Sequence, residues 1–367
     1  MPQVAVVVGA VLQYNRGKNI MINHADIVVD LQAGDTGKGK IAHHLVKSKH
    51  YDAVVRYNGG GNAGHTIYHN GQKIVTHQVP VGIFYGVPSI IGPGCVVNIE
   101  KLNEEIEMLR SHGIEGKVLV DQRAHVTLPE HIEQDLKDVK LGTTGQGIGP
   151  TYRDKISRVG KRIADVINPY QTNKNFQIID VYDYFYNQSE YFPKEILCEG
   201  AQGFQLDIDW GDYPYVTSSN CTVAAVAQNG ISPRYFRNVY GIIKAYETYS
   251  GHKTHFVDPE QQSRFGKVFD KIQEIGGEIG ATTGRKRQVR WLHLDGVIQA
   301  MYINGVTDLI INKLDVLDDV NQWAVVYKNE TYTFRNSKEF KSFVENTINW
   351  DYKHKVNITW SMTKEGI

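Results

Sequence analysis

The most restrictive feature of this chain is one junction. A β-branched run, Ile27-Val28-Val29-Asp30-Leu31, leads through Gln32-Ala33 into Gly34-Asp35-Thr36-Gly37-Lys38-Gly39-Lys40, and a helical pattern then runs from Lys38 to Lys47. A largely apolar strand of this kind belongs inside a parallel sheet, and a glycine-rich turn into a helix N-terminus suits an anion. The N–H groups there carry partial positive charge, and glycine lets the main chain approach a phosphate closely. The spacing from Gly34 to Gly39-Lys40 meets most of a P-loop, but Ile41 follows where a P-loop has Ser or Thr for a magnesium ion. Any metal therefore needs another oxygen, and Asp35 inside the loop is the obvious source.

The rest of the chain repeats the alternation. Further strands are expected at Ala53-Val54-Val55-Arg56-Tyr57, Val118-Leu119-Val120, Ile196-Leu197-Cys198, Gly241-Ile242-Ile243 and Leu309-Ile310-Ile311. Ile99, Leu102, Ile106 and Leu109 mark the apolar face of a helix ending near Gly113. Trp323 to Tyr327 and Glu330 to Arg335 read as a hairpin turning at Lys328-Asn329. The fold class expected is α/β, a single large domain around a mainly parallel sheet, for a P-loop-like nucleotide-binding enzyme. Residues 26–367 read as one catalytic domain and residues 1–25 as an N-terminal extension of unknown role. Val4 to Leu12 lacks the basic start and small-residue cleavage site of a signal peptide.

Composition removes several function classes. With 40 basic and 40 acidic residues the chain gives no support for a nucleic-acid partner or an acidic membrane surface. No apolar stretch reaches the ~18 residues that a membrane-spanning helix needs. Cys95, Cys198 and Cys221 are too few and too scattered for a disulfide framework, so a reducing cytoplasm is expected.

Three more glycine-rich loops carry chemistry. Asn58-Gly59-Gly60-Gly61-Asn62-Ala63-Gly64-His65-Thr66 places a histidine, able to deliver a proton near neutral pH, in a loop too costly in entropy without a close ligand. Gly142-Thr143-Thr144-Gly145-Gln146-Gly147-Ile148-Gly149-Pro150 repeats small residues with hydroxyls. Gly280-Ala281-Thr282-Thr283-Gly284-Arg285-Lys286-Arg287 adds guanidiniums that can clamp a carboxylate. After the strand at Leu309, Asn312-Lys313-Leu314-Asp315 offers an Asp that can accept two N–H bonds from a guanine edge.

Together these segments resemble adenylosuccinate synthetases. The family pattern QWGDEGKGK appears as Gln32 to Lys40, GGxNAGHT as Gly59 to Thr66, IGTTGxGIGP as Leu141 to Pro150, EGAQG…LDIDxGxYPYVTSSN as Glu199 to Asn220, GATTGRxR as Gly280 to Arg287, and TKLDVLD as Asn312 to Asp318. The resemblance implies a two-step ligase: the 6-oxo group of a purine monophosphate is phosphorylated by a nucleoside triphosphate, and the amine of L-aspartate then displaces that phosphate. It implies Asp35 as general base and Mg²⁺ ligand, the Gly64 carbonyl as second metal ligand, and His65 as the acid at O6, with Lys38 and Gln202 also catalytic. It assigns Asn62, Thr143, Thr144, Arg158, Gln202, Thr217 and Arg285 to the monophosphate, with Arg158 delivered across a homodimer interface. Thr282, Thr283, Arg285 and Arg287 fall to aspartate. Gly34, Thr36, Gly37, Lys38, Gly39, Lys40, Lys313 and Asp315 fall to the triphosphate, with GTP suggested by Asp315 and ATP or dATP as alternatives.

Departures from the family pattern point to the substrate. Thr36 replaces a Glu, and the family's KAYSTRVGAGPFPTE becomes Lys244-Ala245-Tyr246-Glu247-Thr248-Tyr249-Ser250-Gly251-His252-Lys253-Thr254-His255-Phe256 near the nucleotide sugar. The ending Ile358 to Thr363 lacks the STGP segment beside the donor base. These changes resemble a bacteriophage branch that acts on dGMP, makes N6-succino-2-amino-2′-deoxyadenylate for 2-aminoadenine DNA, and would work in the host cytoplasm. Some members of that branch lack the loop Asp; Asp35 is present here, so IMP stays an alternative substrate. A nucleotide-dependent switch related to GTPases is the competing class, but it gives Gly59 to His65 and Gly280 to Arg287 no task.

Overall fold

The computed structural model describes residues 22–137, 142–167, 174–187, 194–280 and 284–361. Residues 1–21, Leu141, Thr282 and Thr283 lie outside them, so the expectations placed on the N-terminal extension and on the two threonines are not addressed by the fold.

Nine strands form one sheet: β1 (Ile22–Asp30), β2 (Ala53–Arg56), β3 (Ser89–Ile91), β4 (Val118–Asp121), β5 (Gln177–Ile179), β6 (Lys194–Glu199), β7 (Phe236–Lys244), β8 (Asp308–Asn312) and β9 (Asn357–Ser361). Their spatial order is β9-β8-β7-β1-β6-β2-β3-β4-β5, and every pairing is parallel. This is the α/β architecture the alternation implies. The register sorts side chains by parity. On β1, Ala25, Ile27 and Val29 join one core while Val28 joins the other; on β6, Ile196 and Cys198 part from Leu197 in the same way. Both faces are covered, which is why these strands read as continuous apolar runs.

Strand order reverses at β1, with β7 to β9 on one side and β6 with β2 to β5 on the other. Loops leaving the carboxyl ends of neighbouring strands diverge at such a switch point and open a crevice. The loop after β1 enters α1 (Lys38–Ser48) through Gly37, which has φ 102° and no side-chain cap. The first N–H groups of α1 therefore have no local acceptor to satisfy them.

A second sheet of four strands, Tyr246–Tyr249, Gln288–His293, Trp323–Tyr327 and Glu330–Phe334, leans against the first. Its last two strands are the expected hairpin, with Lys328 and Asn329 both at positive φ. Phe265 and Phe269 of the helix Pro259–Ile275 meet the indole of Trp291 edge-on at 5.3 and 5.2 Å between centroids. That contact fixes the strand ending at Tyr249 and the strand that begins just after Arg287 beside the crevice, at ~0.5–1.5 kcal/mol per aromatic pair beyond area burial. No helix among the described residues is long and apolar enough to cross a membrane.

Candidate active site

The crevice widens into a cavity of about 1150 Å³ at the carboxyl ends of β1, β6, β7 and β8. Asp35, His65, Lys38, Asn62, Gly64, Thr143, Thr144, Gln202, Thr217, Arg287, Lys313 and Asp315 all line it, so loops far apart in sequence converge on one space. Three non-glycine residues of that wall, Asp35, Gln202 and Lys313, have φ of 57°, 56° and 66°. Left-handed backbone of this kind costs ~1–3 kcal/mol per residue and clusters where a site over-determines the chain.

Asp35 is held by groups from the second sheet. Ser250 Oγ donates to its Oδ2 at 2.6 Å, and Arg287 Nε lies 2.8 Å from the same oxygen. Arg287 NH1 also reaches Glu278 Oε2 at 2.6 Å, and Glu278 accepts from Lys244 Nζ at 3.1 Å and Tyr246 OH at 2.7 Å. Burial would raise the Asp35 carboxyl, but Arg287 and the Ser250 hydrogen bond outweigh it and hold it below its ordinary value. Glu278, against the same burial, is drawn down to about 2 by Lys244 and Arg287. Arg287, expected as a carboxylate clamp, is thus engaged with Asp35 and Glu278 and must exchange partners to take a substrate carboxylate.

His65 begins the hairpin His65–His69/Gln72–Thr76, and its ring is 6% exposed. Its Nδ1 donates to Glu199 Oε1, at the end of β6. Glu199 also accepts from Arg56 NH2 at 2.9 Å and from Val81 N at 2.9 Å. Against its burial, Arg56 and His65 draw Glu199 down to about 2, so the carboxylate is ionised and the proton sits on Nδ1. Burial and then Arg56 push His65 down to about 4, which leaves the ring neutral without ligand. As the expected acid it must take up a proton, and an anionic ligand beside it would favour that.

An unexpected carboxylate stands at the base of the glycine-rich loop after β1. Asp30, the last residue of β1, accepts from Thr36 Oγ1 at 2.5 Å, from Lys38 Nζ at 3.0 Å and from Gln32 N at 2.8 Å. Lys38 also donates to the Gln202 carbonyl. The Thr36 hydroxyl is therefore tied to Asp30 and buried, although the residue still lines the cavity, and Lys38 is tethered at its wall with donor capacity to spare.

Along the loop, Lys40 Nζ lies 2.7 Å from Ser361 Oγ, and burial pushes its pKa down to about 8 against the pull of Asp315. Asn312 Nδ2 donates to Thr36 O at 2.8 Å, joining the Asn312-Lys313-Leu314-Asp315 motif to the phosphate loop. Asp315 is exposed in the first turn of the helix Leu314–Val320, and Lys313 Nζ donates to Gly276 O at 2.9 Å.

The remaining expected residues divide. Gln202 Oε1 is buried with no partner among the described residues and packs beside Gly59, where a Cβ would come within 2.6 Å of it. Arg285 NH1 donates to Gly142 O at 2.7 Å, linking two of the glycine-rich loops without lining the cavity. Arg158 is exposed at the end of the helix Ile148–Ser157 and is not in the cavity wall. Sequence reasoning missed Asp30, Arg56, Glu199, Glu278 and Ser250 as functional side chains. Charged residues inside otherwise apolar strands were the available signal for Asp30, Arg56 and Glu199.

No group of three or more His, Cys, Asp or Glu able to hold a metal occurs among the described residues. A magnesium ion does not need one, since it keeps waters and shares one or two carboxylates with substrate phosphates. Asp35 has one oxygen, Oδ2, fixed by Ser250 and Arg287, and Gly64 lines the same cavity, so the residues present fit that mode.

Comparison with known proteins identifies the family and the fold. The family model described as adenylosuccinate synthetase matches residues 27–187 and 174–361. Adenylosuccinate synthetase of Chlorobium chlorochromatii is 39% identical over 348 residues, 82% of this chain and 79% of its own. That of Parabacteroides distasonis is 37% identical over 385 residues, 92% and 89%. Among solved structures, the fully ligated adenylosuccinate synthetase of Plasmodium falciparum superposes with a TM-score of 0.74 at 27% identity, covering 91% of this chain and 96% of that one. Succinoaminodeoxyadenylate synthetase of cyanophage S-2L, bound to dGMP and dATP as an energy donor, gives a TM-score of 0.67 at 22% identity over 89% and 99%, a likeness of fold alone. The chain belongs to the adenylosuccinate synthetase family and is, like its members, a ligase that forms a C–N bond.

Proposed function

We propose that this enzyme joins L-aspartate to C6 of a purine nucleoside monophosphate, with dGMP as the preferred substrate and N6-succino-2-amino-2′-deoxyadenylate as product. The observation that carries the reading is the convergence of an ionised Asp35 and the Glu199-backed His65 on a cavity that also holds the phosphate loop. Asp35 takes the N1 proton and leaves charge on O6, which attacks the terminal phosphorus of the triphosphate as the diphosphate departs. His65 and the Gln202 amide stabilise O6 and the phosphoryl group in flight, and Lys38 neutralises charge at the loop. The aspartate amine then adds at C6, loses a proton and expels phosphate. Magnesium would be held by Asp35 and the Gly64 carbonyl and would supply charge neutralisation at the phosphates.

Asn62, Thr143, Thr144, Thr217 and Arg285 serve the monophosphate, and Thr282, Thr283, Arg285 and Arg287 the aspartate. Gly34, Thr36, Gly37, Gly39 and Lys40 serve the triphosphate. Asp315 and Lys313 select its base, GTP being the donor first favoured and dATP or ATP the others. Arg158, exposed and outside the cavity, would act on a second copy of the chain in a homodimer. What favours dGMP is Thr36, bonded to Asp30, which puts no carboxylate beside Asp35, together with the altered stretch after Lys244. IMP is the second reading, favoured by the retained Asp35 and by the identity of 37–39% to the curated bacterial synthetases above.

Steady-state rates for dGMP, GMP and IMP against GTP, ATP and dATP test this reading. A higher kcat/KM for dGMP, with turnover dependent on aspartate, is expected. A higher value for IMP moves the substrate, and hydrolysis that ignores both aspartate and monophosphate removes the ligase reading.

A further inference from the structure

Ser250 is in contact with the residue that meets the purine ring. Its Oγ donates to Asp35 Oδ2 at 2.6 Å and lies 3.2 Å from Arg287 Nε, which has a single hydrogen and is closer to Asp35. A hydroxyl oxygen has two lone pairs, so Ser250 keeps acceptor capacity after giving its own proton to Asp35. It also lines the cavity.

Topology says which part of a purine that oxygen would face. Asp35 follows β1, at the switch point. His65 follows β2, on the β6 side of β1, whereas Ser250 follows β7 and the strand Tyr246–Tyr249, on the opposite side. In a 6-oxopurine, N1 lies between C6 and C2. A ring whose N1–H meets Asp35 and whose O6 turns toward His65 therefore turns C2 toward Ser250. There the family pattern KAYSTRVGAGPFPTE has Val in place of Ser250, and a valine side chain has no acceptor.

We propose that Ser250 is a specificity-determining residue that accepts a hydrogen bond from the 2-amino group of a guanine-type nucleotide. The assignment rests on the placement of the base between Asp35 and His65. It deepens the dGMP reading by naming the group that distinguishes a 2-amino purine from IMP. Asp35 and Ser250 then form a paired acceptor for N1–H and N2–H, with Arg287 beside the pair until aspartate draws it away.

The test uses the full chain and its Ser250→Ala and Ser250→Val variants. Calorimetric affinities are measured for GMP, IMP, dGMP and dIMP, with kcat/KM alongside. The preference for 2-amino over 2-H nucleotides should fall about fivefold or more in both variants, equally within the ribose pair and the deoxyribose pair, because one neutral hydrogen bond is lost. A wild-type enzyme that prefers 2-amino nucleotides while folded variants keep that preference overturns the Ser250 assignment alone. Loss of deoxyribose preference at constant base overturns it too, since Ser250 would then read the sugar. A wild-type enzyme that prefers the 2-H nucleotides overturns the substrate reading instead.

Discussion

Arg287 stands 2.8 Å from Asp35, its Nε against Oδ2, while its NH1 holds Glu278 at 2.6 Å. The arginine expected to bind aspartate is thus, without ligand, the counter-ion of the expected base. On the proposed assignment, substrate aspartate would draw Arg287 away, and that exchange would couple filling of the aspartate site to the basicity of Asp35.

Replacing Asp35 by Asn should leave folding intact, since the side chain is partly exposed and an amide can keep the Ser250 contact. Turnover should drop by roughly 10²–10⁴, the usual worth of a positioned base. Single-turnover phosphate release checks this, and near-normal rates would reject the role.

Arg287→Leu should raise the aspartate KM strongly and lower kcat as well, because one guanidinium serves both Asp35 and the incoming carboxylate. A change confined to KM would mean that the pairing with Asp35 has no kinetic consequence.

Glu199→Gln should lower kcat by about tenfold or more with little change in KM, because His65 loses the anion that fixes its tautomer. Stability responds too. Glu199 sits at about 2 in the fold against 4.5 ordinarily, so its stabilisation is complete above pH 4.5 and lost as pH falls toward 2. Urea melts from pH 7 to 3 should show a shallower acid limb in the variant; identical limbs would place the linkage elsewhere.

Asp30→Asn leaves the Lys38 ammonium buried beside a neutral group, at a cost of about 3–5 kcal/mol for a broken buried pair. Denaturant midpoints should fall accordingly. The further variant Asp30→Asn/Thr36→Glu, which returns a carboxylate to the loop, should recover part of the activity if charge near Lys38 is what matters.

Chelating divalent cations should abolish turnover without lowering the melting temperature of the free protein. Asp35 is already paired with Arg287 and Ser250, so its charge is compensated in the fold without a metal. A large fall in melting temperature would point to a structural ion.

Much of this was legible before any coordinates. The run ending at Leu31 and the glycines after it gave the central strand, α1 and its N-terminus without a side-chain cap, because parallel strands and helix N-termini have local signatures. The convergence of the loops at Asp35, His65, Gln202 and Asp315 followed from motifs that only make sense around one ligand. What stayed hidden were partners fixed by long-range pairing. Glu199 meets His65 across 134 residues and Ser250 meets Asp35 across 215, and no periodicity encodes such separations. Asp30 was missed for another reason: inside an apolar strand it reads as an exception, and only its contacts with Thr36 and Lys38 give it a purpose.

The central claim is that Asp35 and His65 act together on the exocyclic oxygen of a purine, and oxygen tracing tests it most directly. dGMP carrying ¹⁸O at position 6 would be turned over with aspartate and a triphosphate, and the released phosphate analysed by mass. One ¹⁸O in each phosphate is the predicted result, because O6 leaves as a phosphate oxygen. Unlabelled phosphate from a reaction that consumes triphosphate would contradict the account.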